Sequence, residues 1–278
     1  MPSFYNFVGQ DYLMNQFKAA DFWESRLDKK RGLTGVGYAK LGPSFNYWAY
    51  RVRGKVFKRM VSKHVQPKPE AKVLDIGSGT GFYIDQWQQF GLRHISGADI
   101  TRVSVEQLKL RFPQHHFFQL DIGGDIKPFL QENGQYQLVS CLDVLFHIVD
   151  DSRFQQAIHN ISACLVKGGY FVYSDNFVER GTQRTTHQVS HSKKDLLQWI
   201  DDAGFEVVEQ CPFMVAVNYP IDSTNPLLHA YWFVVENTLA LIKPLGHVLG
   251  PVLYGVDLFL TKVLKKGPSS KLIILRKK

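Results

Sequence analysis

The stretch VLDIGSGTGFY, residues 73–83, constrains the chain more than any other: apolar residues suited to a buried strand run directly into glycines at alternate positions. A strand that breaks into a tight glycine turn and is followed by a helical pattern, FYIDQWQQF, is the opening unit of a parallel α/β sheet. The spacing also limits what the turn can hold. Gly77, Gly79 and Gly81 form G-x-G-x-G, and Phe82 stands where a dinucleotide fingerprint needs its last glycine. No Lys-Ser or Lys-Thr pair follows, so the turn is not a phosphate loop. Asp75 places an acid just before it.

From residue 70 onward, apolar strand-like runs alternate with helical ones. AKVLDIG, HISGADI, HHFFQLDI, YQLVSCLDV, GYFVYSDNF, FEVVEQCPF and KLIILRKK read as strands, with helices in VSVEQLKLRF, DSRFQQAIHNISACLV and KKDLLQWIDDAG. Thr101 or Ser104 is expected to cap the first of these helices. The pattern predicts a doubly wound, mostly parallel seven-stranded sheet with helices on both faces. Residues 1–69 read as a helical cap or lid, 70–223 as the core, 224–267 as a hydrophobic helical insertion, and 268–278 as the last strand.

Charge divides the chain in the same places. Residues 1–69 carry 13 Lys and Arg against 4 acids, residues 70–224 carry 12 against 19, and residues 225–278 carry 8 against 2. The acidic core argues against a nucleic-acid-binding surface and moves any anionic partner to the flanks. Cys141, Cys164 and Cys211 are too widely spaced for a metal cluster or a disulfide framework, so no metal is expected. The first residues, MPSFYNFVGQDY, lack the basic start and apolar run of a signal peptide, which with the cysteine usage makes the cytoplasm the expected location.

Ligands of such sheets bind beyond the C-terminal strand ends, and polar residues fall there. Asp99, 18 residues past Gly81, is placed to accept hydrogen bonds from ribose hydroxyls. Asp121 ends the third strand within reach of an adenine amino group, and Ile100 and Ile122 offer apolar surface to the ring. Taken singly, Asp75 is equally a turn cap, and Asp99 and Asp121 are equally solvated loop acids. In this order VLDIGSGTG, GADI, QLDI, YQLVSCLDVLFHI and LVKGGYFVYSD resemble the class I S-adenosylmethionine-dependent methyltransferases over residues 70–213 and the last strand. The resemblance implies S-adenosylmethionine as cofactor, held by Asp75, Gly77, Ser78, Gly79, Gly81, Asp99, Ile100, Asp121, Ile122 and Leu142.

Methyl transfer from a sulfonium needs alignment, and a base where the nucleophile carries a proton. His147, just past the fourth strand, is the general-base candidate by position, with a helix-start hydrogen bond as its ordinary alternative. His187 and His191 lie on the connection after the fifth strand, where they are substrate-side candidates or plain loop histidines. No N/D-P-P-Y/F sequence follows the fourth strand, so a small hydrophobic or lipid-like acceptor, methylated on oxygen, is expected ahead of nitrogen, carbon or nucleic acid. A catalytically silent adenosine-binding module is the reading from another class.

The flanks bear on that acceptor. Residues 41–61 read as a helix, ordinarily one that packs on the core with Arg51, Arg53, Lys55, Lys58 and Arg59 on a solvated basic face, and in its functional reading a lid whose Tyr47 and Trp48 cover the cofactor. Residues 227–264 contain a longest charge-free run of 13 residues, Pro244 to Val256, short of the ~20 that span a bilayer. That segment is expected first to roof an apolar pocket. A membrane-surface element helped by Lys262, Lys265 and Lys266, and a homodimer face, are its alternatives.

Overall fold

A computed structural model describes residues 17–30 and 32–278; the amino-terminal stretch read for a signal peptide lies outside them. Seven strands form one sheet: β1 Lys72–Ile76, β2 His94–Asp99, β3 His116–Gln119, β4 Tyr136–Leu142, β5 Leu165–Asp175, β8 Phe205–Pro212 and β9 Lys271–Lys277. Their spatial order is β3-β2-β1-β4-β5-β9-β8, and β9 runs antiparallel to both of its neighbours. A two-stranded hairpin, β6 Gln183–Arg184 with β7 Val189–Ser190, stands apart on the connection after β5. The chain reverses order between β1, which leads outward to β2 and β3, and β4, so a crevice opens above the carboxyl ends of β1 and β4.

The pleat of each strand divides the core in two. Val73, Ile95, Leu138, Val172 and Ile274 face one layer, where they meet helices α2 Gly42–Met60, α3 Phe82–Gln88 and α4 Arg102–Arg111. Leu74, Ala98, Val139, Phe171 and Ile273 face the other, against α5 Lys127–Asn133, α6 Asp151–Cys164 and α7 Lys193–Asp202. Side chains of successive residues point to opposite faces, so near-continuous apolar runs are what a sheet covered on both sides requires. The predicted strands and the four core helices all form; α5 and the β6–β7 hairpin were not predicted.

The cap is not a separate layer. Helix α1, Ala19–Lys29, lies over the crevice, but α2 belongs to the core: Phe45, Val52, Val56 and Phe57 on it are fully buried. Helices α8 Pro226–Leu241 and α9 Gly246–Val263 form the insertion before β9. They pack on the far side of α2, where a Cβ on Gly250 would sit 2.2 Å from Trp48 Cδ1, so only glycine permits the approach. Asp257 pins α9 to the segment after β8 by accepting the Val215 and Val217 N–H groups at 2.7 and 3.0 Å. No residue of α8 or α9 lines the crevice, and the expected pocket roof is thereby corrected.

Candidate active site

The crevice at the carboxyl ends of β1, β2 and β4 is lined by the glycine turn, by the residues at those strand ends and by side chains of α1 and α2. The glycine turn forms its floor. The N–H groups of Gly77 and Ser78 both donate to Ala98 O, at 2.7 and 3.1 Å, which bends the chain back over β2. Gly77 has φ +72°, and a Cβ there would meet Val144 Cγ2 at 2.2 Å, so the turn tolerates no side chain at that point.

Asp99 locks the turn. Its Oδ2 accepts the Gly79 N–H at 2.8 Å, and its Oδ1 accepts both the N–H and the hydroxyl of Thr101, at 2.9 and 2.7 Å. Thr101 therefore precedes α4 without capping it with its side chain. The free N–H groups of Arg102 and Val103 are instead met by the Glu24 carboxylate of α1, at 2.8 and 3.1 Å, which ties the lid to the crevice rim. Ser104 also does not cap; its hydroxyl donates to Gly79 O at 2.6 Å.

Asp75 departs from its expected role as a direct contact, since it does not line the crevice. It is buried beneath the turn, where Trp87 Nε1 donates to Ser140 Oγ and Ser140 Oγ donates to Asp75 Oδ1, at 2.9 and 2.6 Å. Its Oδ2 has no hydrogen-bond partner among the described residues, and burial pushes its carboxyl up to about 7 against the pull of Ser140 and Ser78. Gly81 is likewise off the lining: its φ of +83° starts α3, where a Cβ would strike Phe112 and Leu108.

Gly77, Ser78, Gly79, Asp99, Ile100, Asp121, Ile122 and Leu142 all line the crevice. Asp121 Oδ1 accepts the Gly123 N–H at 3.0 Å, and its Oδ2 pairs with Arg153 at 2.5 Å. The lining contains three acids, Asp99, Asp121 and Asp143, and no Lys or Arg. Arg153 offsets Asp121 and Arg53 offsets Asp143, which leaves Asp99 as the uncompensated acid; a pyrophosphate meets no cation in this lining, whereas a ligand carrying a sulfonium and an ammonium meets a net acidic one. S-Adenosylmethionine fits this donor set: Asp99 would hold the ribose hydroxyls, Asp121 the adenine amino group, and Ile100, Ile122 and Leu142 the ring.

The other end of the crevice holds residues that sequence reasoning missed. Tyr50 and Tyr83 line it, and Arg53 Nε sits 3.2 Å from Asp143 Oδ2 in a buried ion pair. Burial works against the Arg53 charge, but Asp143 together with Tyr50, Tyr83 and Tyr38 outweighs it, so the guanidinium pKa is raised. Asp143 itself has φ +59°, a left-handed backbone held by reciprocal 2.9 Å hydrogen bonds with Ser174. The Tyr83 hydroxyl is buried without a partner among the described residues.

His147 lines the same end. Its Nδ1 lies 3.0 Å from His187 O, and its ring meets Trp23 of α1 edge-on at 4.9 Å between centroids. Burial is the main cause that lowers its pKa to about 4, so the imidazole is neutral at physiological pH. His187 stacks on Phe22 at the rim and does not line the crevice. His191 is buried outside it, where its Nε2 meets Asp151 at 3.0 Å and its ring packs on Phe154 and Trp199.

The lid is corrected too. Tyr47 is 47% exposed and Trp48 packs on Tyr254 of α9, both away from the crevice. The residues that cover it are Trp23 and Leu27 of α1, with Tyr50 from the inward side of α2. The sequence reading of residues 1–69 as a helical lid covers α1 but names none of these α1 residues.

Comparison with known proteins agrees with this geometry. The chain is 26% identical over 185 residues to an mRNA cap guanine-N(7) methyltransferase of Cryptococcus neoformans, covering 59% of this chain and 27% of that protein. It is 20% identical over 182 residues to a mitochondrial ubiquinone biosynthesis O-methyltransferase of Saccharomyces cerevisiae, covering 58% of each. The chain thus spans between about a quarter and three fifths of these relatives. Its fold matches magnesium protoporphyrin IX methyltransferase from Synechocystis with bound S-adenosylmethionine, at TM-score 0.52 and 15% identity over 99% of both chains. Residues 47–210, more than half of the chain, match the methyltransferase domain family. The turn, the carboxylates at successive strand ends and that match lead to one conclusion: the chain belongs to the methyltransferase domain family, within the class I S-adenosylmethionine-dependent methyltransferases.

Proposed function

We propose that the protein methylates an oxygen of a small hydrophobic or lipid-like acceptor. The observation that carries this reading is the end of the crevice opposite Asp121. Trp23, Leu27, Tyr50, Phe82, Val144 and Ile148 make its wall apolar. Its uncharged polar side chains are His147, Tyr50 and Tyr83. Asp143, the acid nearby, is neutralised by Arg53. An apolar wall with a few uncharged polar groups suits a lipophilic molecule bearing a hydroxyl.

When bound, the cofactor supplies an activated methyl group. The chain's residues supply orientation and proton handling. With Nδ1–H donating to His187 O, His147 keeps its Nε2 lone pair as the acceptor for a substrate hydroxyl proton. A group held near pKa 4 is a weak base, so its main contribution is to orient the hydroxyl. Helix α1 excludes water above it. The ubiquinone-pathway relative, named for an O-methyltransferase, supports oxygen; the cap methyltransferase, named for guanine N7, supports the alternative nitrogen acceptor. The acidic core weighs against a nucleic-acid acceptor.

The test is incubation of the protein and labelled cofactor with a fractionated cell extract. A lipid-soluble product carrying one added methyl on oxygen is expected. Label recovered only in RNA, or no label transferred, would refute the proposal.

A further inference from the structure

We propose that the outward face of α8 and α9 seats this protein on an anionic lipid bilayer. The argument is independent of the acceptor. Along α9 the solvent-facing stripe is Val248, Val252, Val256, Phe259 and Val263, at 44–64% exposure. These positions recur at helical spacing, so they form one continuous face. The outward stripe of α8 adds Leu227, Phe233, Val234 and Leu241, at 61–84% exposure, with Ile242 at the bend. Twelve of the eighteen most exposed large apolar side chains among the described residues fall between Leu227 and Leu264. Scattered exposed apolar residues are ordinary, but a stripe repeated turn after turn along α9, with a second on α8, marks an interaction surface.

Charge decides the occupant. Residues 226–266 contain two acids, and Asp257 is buried with its carboxylate on backbone N–H groups. Lys243 stands at the bend, and Lys262, Lys265 and Lys266 follow the end of the α9 stripe. Helix α2, alongside, contributes Arg51 against Tyr254 and Arg59, which donates to Thr261 O at 2.8 Å. Residues 40–66 carry seven basic residues and no acid, and only Arg53 of these is spent inside, on Asp143. An apolar stripe beside a cationic border matches acyl chains beneath anionic headgroups. A second copy docked through the same patch would bring those cations against their own images.

The geometry fits lying on a bilayer. No single helix among the described residues is long and apolar enough to cross one, and α8 and α9 meet at a bend of 119°. Asp257 and Gly250 fix α9 to the body, so insertion is limited to the outward side chains.

The test is co-sedimentation of the full chain with vesicles of phosphatidylcholine alone and with phosphatidylglycerol added. Binding at least tenfold tighter to the anionic vesicles is expected, weakening as salt shortens the screening length from ~30 Å at 0.01 M to ~8 Å at 0.15 M. Val252→Asp with Phe259→Asp should abolish it; both sites are exposed, and unchanged circular dichroism confirms the fold. Lys262→Gln, Lys265→Gln and Lys266→Gln together should cost ~100-fold, from about fivefold per cation at such a surface. No binding at low salt would overturn the proposal. So would binding indifferent to the two aspartates, or a dimer in sedimentation velocity that they split while vesicles capture nothing.

Discussion

Replacing Asp99 by alanine separates what this carboxylate does for the empty protein from what it does for the cofactor. In the structure it accepts three hydrogen bonds, from the Gly79 N–H and from the N–H and hydroxyl of Thr101, and it lines the crevice. The alanine variant leaves the Gly79 donor without its acceptor. Hydrogen bonds to a charged group are worth about 1.5–3 kcal/mol when one partner is lost, but water can enter this partly open site, so the lower end applies to folding. A loss of ~1.5 kcal/mol corresponds to a drop of roughly 3–6 °C in the melting temperature. Binding of S-adenosylhomocysteine, which keeps the ribose, should weaken by about 1.5–3 kcal/mol more, a rise in Kd of ~10- to 150-fold. Calorimetry on the folded variant measures the second quantity, and scanning calorimetry without ligand the first. Unchanged affinity with a lowered melting temperature would refute ribose recognition and leave Asp99 as an anchor of the turn.

Tyr83→Phe should raise folding stability by about 1 kcal/mol at unchanged cofactor affinity, because it removes a buried hydroxyl with no partner among the described residues; a lowered unfolding free energy in urea would show that the hydroxyl is paired. Because burial draws His147 to about 4, the turnover rate should be flat from pH 6 to 8, with no rise through ~6.5, and His147→Ala should lower it about tenfold at every pH in that range. Asp75, raised to about 7 when folded against ~3.9 unfolded, binds its proton more tightly in the folded state, so it makes stability fall as pH rises across that window and has no further effect above it. Asp75→Asn should therefore gain on the wild type by about 1 kcal/mol per pH unit between pH 4 and 7 and level off beyond, as read from urea unfolding. Arg53→Met should destabilise by about 1–3 kcal/mol by leaving the partly buried Asp143 without its partner, and Arg53→Met with Asp143→Asn should recover part of that loss.

The cofactor end was legible because its signals are local. A glycine turn, an apolar run and an acid at a strand end each depend on a few adjacent residues, and the order of the strands follows from the alternation. Asp75 shows the limit: sequence places it beside the turn but does not say that its side chain points under the sheet toward Ser140 and Trp87. The rotation of α2 was not legible. Tyr47, Trp48 and Tyr50 place aromatics around much of the helix, and the inward position is marked by a buried arginine, which pattern reading assigns to solvent. Helix α1 was expected only as part of a helical lid over residues 1–69, without bounds, because AADFWESRLDK is mostly polar and is held through Glu24 on the first N–H groups of α4. For α8 and α9, apolar residues on both faces read as interior, since hydropathy alone cannot tell a roof from an outward surface.

The antiparallel placement of β9 sets a timetable for synthesis. It lies between β5 and β8, yet residues 213–270 separate it from β8 along the chain. At roughly 5–20 residues per second, a ribosome needs about 3–12 s to deliver those 58 residues after β8 has emerged. Through that interval the edges of β5, with Phe171, Val172 and Tyr173, and of β8 have no neighbour to pair with. Unpaired apolar edges invite pairing with other chains. The nascent protein therefore passes through a stage at which the cofactor half of the sheet can already assemble while the other half still needs shielding, and slower translation of the insertion lengthens that exposure.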